Sequence, residues 1–234
     1  MKAEIKSRDG DRAMTLVEML LVVFIVALLT VMLLPVSPGH HRPAKIARAR
    51  FEMADLVNAI EAYETDCNRL PLAEYSTNKD ITLGIKPVEF QEFQKIPGTS
   101  LIDTNSDLMV VLMDFNSGVN ANHKLNPKQI KYLNAKLSGN TNSSGVGIDF
   151  QYRDPWGNPY VISLDANQDG FVRDAFYSCP NLYPANSPTS LTKTNGLFQR
   201  GGKVMVWSRG PDGKASIAVP AKSGVNKDNV ISWE

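Results

Sequence analysis

The chain has 234 residues, of which 43% are hydrophobic and 21% charged, and its net charge is +1. This composition excludes a disordered protein, and the length holds one ordinary domain plus an appendage. The near-neutral charge excludes a global basic field, so no nucleic-acid partner is expected, and there is no acidic excess.

The first predicted element is apolar. From Met14 to Leu34 the one ionisable side chain is Glu18, and from Met19 to Leu34 the one polar residue is Thr30. As a helix this stretch would rise roughly 31 Å, about the thickness of a bilayer's hydrocarbon core, which predicts a transmembrane span. Lys2, Lys6, Arg8 and Arg12 precede it, and Arg42, Lys45, Arg48 and Arg50 follow it. Basic residues on both sides leave its orientation open. A secretory signal peptide would have a shorter core and a small-x-small cleavage site after it, and Pro35-Val36-Ser37-Pro38-Gly39 is a poor one. A carboxylate in such a segment is functional by default. Against that stands a Glu at the membrane edge of an ordinary anchor, reaching back to water.

The segment Arg12-Ala13-Met14-Thr15-Leu16-Val17-Glu18-Met19-Leu20 resembles the processing site of type IV prepilins and type II secretion pseudopilins. The resemblance implies removal of a charged leader between Ala13 and Met14, N-methylation of Met14, and assembly through Thr15, Leu16 and Glu18. Ala13 and Met14 stand where that family usually has Gly and Phe. A buried carboxylate is tolerated when it meets an opposite charge. Glu18 of one subunit would therefore pair with the new Met14 amine of its neighbour and fix the axial register.

Three prolines and a glycine between Pro35 and Pro43 should break or kink a helix. His40-His41 reads there as a polar collar rather than a metal site. Beyond it Ile46, Ala49, Met53, Leu56, Val57, Ile60 and Tyr63 form an amphipathic helical stripe, which should stop near Asn68-Arg69-Leu70-Pro71. Residues 72–150 are less readable. Ser106-Asp107 opens a short helix through Phe115, and Asn126-Pro127 opens another that Ser138-Gly139 closes.

Tyr160 to Leu164 reads as a strand, with Phe171 to Ser178 as its return partner and further strands at Lys203 to Ser208 and Ala215 to Val219. Between the first two, Asp165, Asn167 and Asp169 alternate before Gly170, as in the first half of a calcium loop, and the Asp174 carboxylate would add a fourth ligand. A hairpin turn rich in Asp, Asn and Gly for conformational reasons explains the same residues. Asp154-Pro155-Trp156-Gly157, Trp207-Ser208-Arg209-Gly210-Pro211-Asp212-Gly213 and Asn226 to Trp233 narrow the resemblance to the major pseudopilin of type II secretion systems. That resemblance implies a Ca2+ ion held by Asp212 and Asp228. Cys67 and Cys179 form one disulfide if the domain is exported, or remain two buried thiols.

The expected fold is thus α+β and pilin-like. A long N-terminal helix, half transmembrane and half amphipathic, packs on a small antiparallel C-terminal sheet. The expected organisation is a removed leader (1–13), a transmembrane and assembly helix (14–34), a Pro/Gly break (35–43), an amphipathic half-helix (44–67), a variable αβ insertion (68–149) and a sheet with calcium-type loops (150–234).

The resemblance implies a structural subunit, not an enzyme, that passes once through the inner membrane with its C-terminal domain in the periplasm. Its partners would be further copies of itself, other pseudopilins, the prepilin peptidase/methyltransferase, the inner-membrane assembly platform and membrane lipid. A type IV pilus subunit is the alternative. A membrane-anchored binding domain using Trp156 and Trp207 is a third reading.

Overall fold

The computed structural model describes residues 15–33, 41–75, 78–85, 96–184 and 190–233. The expected leader (1–13), Met14 and most of the expected Pro/Gly break lie outside the described residues. The chain divides into two compact units, Met1–His41 and Arg42–Glu234.

The first unit contains helix α1, Leu16–Leu33. Its side chains from Leu16 to Leu29 are exposed all round the helix, including Leu16 at 81%. Among the described residues the expected long N-terminal helix, half of it transmembrane, is not found. Two helices are assigned instead, α1 and then α2 over His41–Cys67. Among the described residues no helix is long and apolar enough to cross a membrane. The 18 residues of α1 rise about 27 Å, short of the roughly 30 Å hydrocarbon core. Its first turn also carries Glu18. This finding overturns the expected single pass through the inner membrane with a periplasmic C-terminal domain.

The second unit begins with α2. The helix opens at His41 rather than Ala44, which places Pro43 in its first turn, where a missing N–H costs no helical bond. Ala49, Met53, Leu56, Ile60 and Tyr63 recur every three or four residues and are buried in one stripe. Asn68 ends the helix with φ 52°, its N–H bonded to the Glu64 carbonyl at 2.7 Å. Asn tolerates this left-handed terminal position better than most residues.

The stripe packs on a five-stranded sheet whose strands, from one edge to the other, are β10 (Val230–Ile231), β9 (Val204–Ser208), β5 (Val161–Leu164), β1 (Asp80–Leu83) and β2 (Thr99–Ile102). The sheet is neither small and C-terminal nor wholly antiparallel. β1 and β2 come from the segment expected to be an insertion, and they pair in parallel, Asp80 opposite Thr99. β5 sits between β1 and β9 and is antiparallel to both.

Side-chain alternation divides the core into two layers. Ile81, Leu83, Ile162, Leu164, Val204 and Val206 face the α2 side, together with the buried helix α3 (Ser106–Leu112). Val161, Met205 and Trp207 face the other way, onto Phe176, Tyr177, Leu182 and Trp233. With both faces covered, every residue of β5 and β9 is buried.

Smaller pairings complete the unit. β3 (Gly145–Val146) pairs with β4 (Tyr152–Arg153), and β8 (Leu197–Gly201) pairs with both β6 (Phe171–Val172) and β7 (Thr192–Thr194).

Three expected elements differ. The helix from Asn126 does not form. The Asn126 side chain bonds the carbonyls of Val111 and Ile130, Gln129 is left-handed at φ 52°, and the Leu133 N–H donates to the Leu112 carbonyl. The return strand is only Phe171–Val172 and pairs with β8, because residues 174–177 turn inward. No strand forms over Ala215–Val219, where the Asn226 side chain holds the backbone in turns.

Candidate functional site

At the start of α1, Thr15 and Glu18 form a reciprocal cap. The Glu18 N–H donates to Thr15 Oγ1 at 3.3 Å, while Glu18 Oε2 accepts from the Thr15 N–H at 2.9 Å and hydroxyl at 3.0 Å. This is the capping-box arrangement that a Thr three residues before a Glu produces. The Thr15 N–H, then the Thr15 hydroxyl, hold the Glu18 carboxyl below its usual value. Glu18 is therefore not a lone acid within its own chain. It is the one charge on an otherwise apolar exposed helix surface, from Leu16 through the last described side chain at Thr30. Thr30 returns its hydroxyl to the Val26 carbonyl at 2.7 Å and so adds no unpaired donor to that surface.

The Asp165–Gly170 loop turns its oxygens on its own backbone. Asp165 accepts from the N–H groups of Asp169 (3.2 Å) and Gly170 (2.9 Å), and Asp169 accepts from Phe171 N–H (2.9 Å). Asn167 accepts from the Asp169 N–H and donates to the Asp169 carboxylate. These are the bonds of an Asx-rich turn. Burial raises the Asp165 carboxyl above its usual range.

Asp174 does not join that loop. It is fully buried on the second face of the sheet, where Oδ1 accepts the N–H groups of Phe176 (2.9 Å) and Tyr177 (2.7 Å). Its Oδ2 accepts Ser163 Oγ (2.7 Å) and Trp207 Nε1 (3.0 Å). Thr82 extends the network, 2.8 Å from Ser163 and accepting the Ala175 N–H. Burial raises the Asp174 carboxyl, and these donors pull against the rise.

The C-terminal loops meet through Asp154 of the Asp154-Pro155-Trp156-Gly157 motif. Its Oδ1 accepts the N–H groups of Trp156 (2.8 Å) and Asn158 (2.9 Å), and its Oδ2 accepts the Ser208 hydroxyl (2.5 Å). Asn158 donates to the Gly210 carbonyl at 2.8 Å. Gly210 has φ +66° and lies so close to the Asp228 carbonyl that a Cβ would collide with it. The backbones carrying Asp212 and Asp228 are thus neighbours. Asp212 itself is exposed and caps the Lys214 N–H at 2.8 Å. Among the described residues no group of three or more His, Cys, Asp or Glu is placed to hold a metal.

Asp80 was not singled out from sequence. It is buried at the start of β1, and its Oδ2 accepts the Arg173 N–H at 2.8 Å. Its Oδ1 is buried with no hydrogen-bond partner among the described residues. Burial, with Asp165 and Asp169 nearby adding to it, pushes its carboxyl up to about 6. Only a buried partnerless oxygen distinguishes it, and a sequence carries no signal for that.

Cys67 and Cys179 are free thiols on opposite sides of the sheet. Cys67 packs on the α2 layer, 3.9 Å from the Tyr132 hydroxyl, and Cys179 belongs to the Trp207 layer. Trp207 is fully buried and Trp156 half-buried, so neither is the exposed aromatic that the third reading called for. Comparison of the chain with protein-family models, with curated proteins and with solved structures finds no match.

Proposed function

We propose that this chain is a structural subunit of a pilin-like filament, a pseudopilus of the type II secretion kind, whose copies associate through α1. The observation that carries the reading is the surface of α1, apolar and exposed around its whole circumference, with Glu18 as its one charge. A helix apolar on all sides requires an apolar environment. Packing against the same helix of further copies supplies one, and exposed patches of this size mark interaction surfaces. The second unit is the head that such a filament displays. The resemblance of residues 12–20 to a prepilin site adds a prepilin peptidase/methyltransferase as processing partner and the Met14 amine as the counter-charge of Glu18.

The test is co-expression of the full chain with a prepilin peptidase, mass spectrometry of its N-terminus, and electron microscopy for filaments. The expected product begins at N-methylated Met14 and polymerises. Glu18→Gln keeps the capping geometry without the charge and is expected to be cleaved but not assembled. Thr15→Val keeps the charge, weakens the cap and is expected to assemble. Retention of residues 1–13, or normal filaments from Glu18→Gln, overturns the reading.

A further inference from the structure

We infer that the cavity at the β10 edge of the central sheet is a binding site for an aromatic carboxylate. Its volume is about 340 Å3. That is near the lower end of the roughly 300–1,000 Å3 typical of small-molecule sites, room for one ring system and a short acidic arm.

The walls are aromatic and held before any ligand arrives. Trp233 meets Tyr177 edge-on with centroids 5.1 Å apart, and Tyr177 meets Trp207 in the same way at 5.1 Å. Tyr183, which also lines the cavity, is tilted against Phe198 at 4.4 Å. Rings fixed by other rings lose little rotamer freedom when a ligand stacks on them. The floor is equally fixed. Asn226, 1% exposed, accepts the Ser216 N–H at 2.9 Å and donates to the carbonyls of Ser216 (2.7 Å) and Val219 (3.0 Å). The Ala221 N–H bonds the Leu182 carbonyl at 2.9 Å.

Charge selects the guest. Arg50, Lys222 and Lys227 line the cavity, and among the described lining residues none is acidic. Cations clustered in a cleft with low-dielectric walls raise the local concentration of anions and repel cations. Aromatic walls beside exposed cations fit a ring carrying a carboxylate close to it. Two sources present that chemistry, a free aromatic acid and a polypeptide ending in an aromatic residue. The cavity lies wholly in the second unit, so this inference stands apart from the role of α1.

The test is titration of the full chain with N-acetyl-tryptophan, N-acetyl-tryptophanamide, tryptamine and an acetylated Gly-Gly-Trp peptide acid, followed by ligand-observed NMR and calorimetry. N-acetyl-tryptophan is expected to bind saturably, and the amide about tenfold more weakly for want of the charge-assisted contact. Arg50→Gln and Lys227→Gln, both at exposed positions, should each weaken the acid several-fold, and Ala221→Trp should fill the cavity and abolish binding. Equal or tighter binding of the peptide acid identifies a polypeptide terminus as the source, and binding of the free acid alone identifies a small molecule. Equal affinity for acid and amide, preference for tryptamine, or undiminished binding in Arg50→Gln together with Lys227→Gln overturns the assignment.

Discussion

Removing the Asp174 carboxylate should cost the second unit about 3–4 kcal/mol, and the loss should be the same with and without calcium. Four donors converge on this side chain: the N–H groups of Phe176 and Tyr177 on Oδ1, and Ser163 Oγ and Trp207 Nε1 on Oδ2. In Asp174→Ala the Ser163 hydroxyl can turn to Thr82, already 2.8 Å away. Two amides and the indole N–H lose their carboxylate acceptor in a site that is fully buried. Each orphaned donor costs about 1–3 kcal/mol, and relief of the buried charge offsets part of the sum. Asp174→Asn keeps the oxygen that serves both amides but turns an NH2 toward the indole, so it should lose about half as much. Urea unfolding of the full chain followed by tryptophan fluorescence measures both, in calcium and in chelator. A loss under about 1 kcal/mol for the alanine variant would show that the network does not hold this layer. A loss seen in calcium alone would make Asp174 a metal ligand and refute the reasoning.

Three further outcomes follow from single side chains. The Asp80 carboxyl, raised from 3.8 to about 6, favours its neutral form in the folded state, so its contribution to stability is greatest below pH 3.8 and falls as pH rises through about 6. With the solvent-exposed 168–170 turn nearby screening the charge, the loss at pH 7 should be about 1–2 kcal/mol. Asp80→Asn should recover it and flatten the pH dependence between those values, which thermal melts from pH 4 to 8 would show; an unchanged profile rejects the assignment. Tyr160→Phe deletes the 2.7 Å bond from the buried Tyr160 hydroxyl to Glu52. It should cost about 1.5–3 kcal/mol in urea unfolding, and a neutral effect would mean Arg48 alone satisfies that carboxylate. Gly210→Ala places a Cβ against the Asp228 carbonyl at φ +66°, so it should destabilise by more than about 2 kcal/mol; a wild-type melting curve would show that the two loops part freely.

What could be read from sequence was whatever local periodicity controls. The α2 stripe from Ala49 to Tyr63 and the strands at residues 161–164 and 204–208 rest on spacings of three to four and of two, and those spacings survive folding because the buried faces demand them. The parallel β1–β2 pair was illegible. Asp80–Leu83 and Thr99–Ile102 are four residues each and mix Asp, Thr and Ser with apolar residues, and their partners lie far along the chain. Asn126-Pro127 carried a valid helix-start signal, yet the Asn126 side chain found better partners in Val111 and Ile130 than in its own next turn. At the acidic loops, residue types marked the turns correctly but could not say which carboxylates are spent on backbone amides. Asp174 looks like a fourth member of the 165–170 pattern in one dimension and belongs to Trp207 in three. The membrane span fails on length: the helix described within it, Leu16–Leu33, has 18 residues and carries Glu18 in its first turn.

The capping box alters what the proposed assembly would ask of Glu18. If the acid had no partner within its chain, pairing with a neighbouring amine would be needed simply to make its burial tolerable. Here both Thr15 donors end on Oε2. A carboxylate has a second oxygen with its own lone pairs, so one oxygen can close the helix start while the other receives an ammonium from an adjoining copy. The two roles do not compete, and the cap fixes the rotamer in which the second oxygen is offered. Preorganisation of this kind lowers the entropy lost on association. It also explains why the spacing of Thr15 and Glu18 suits both readings: the three-residue separation that closes a helix N-terminus also sets the carboxylate at the very start of an apolar helix. The charge, not the hydrogen-bonding shape, would then decide assembly, which is the distinction that Glu18→Gln and Thr15→Val draw.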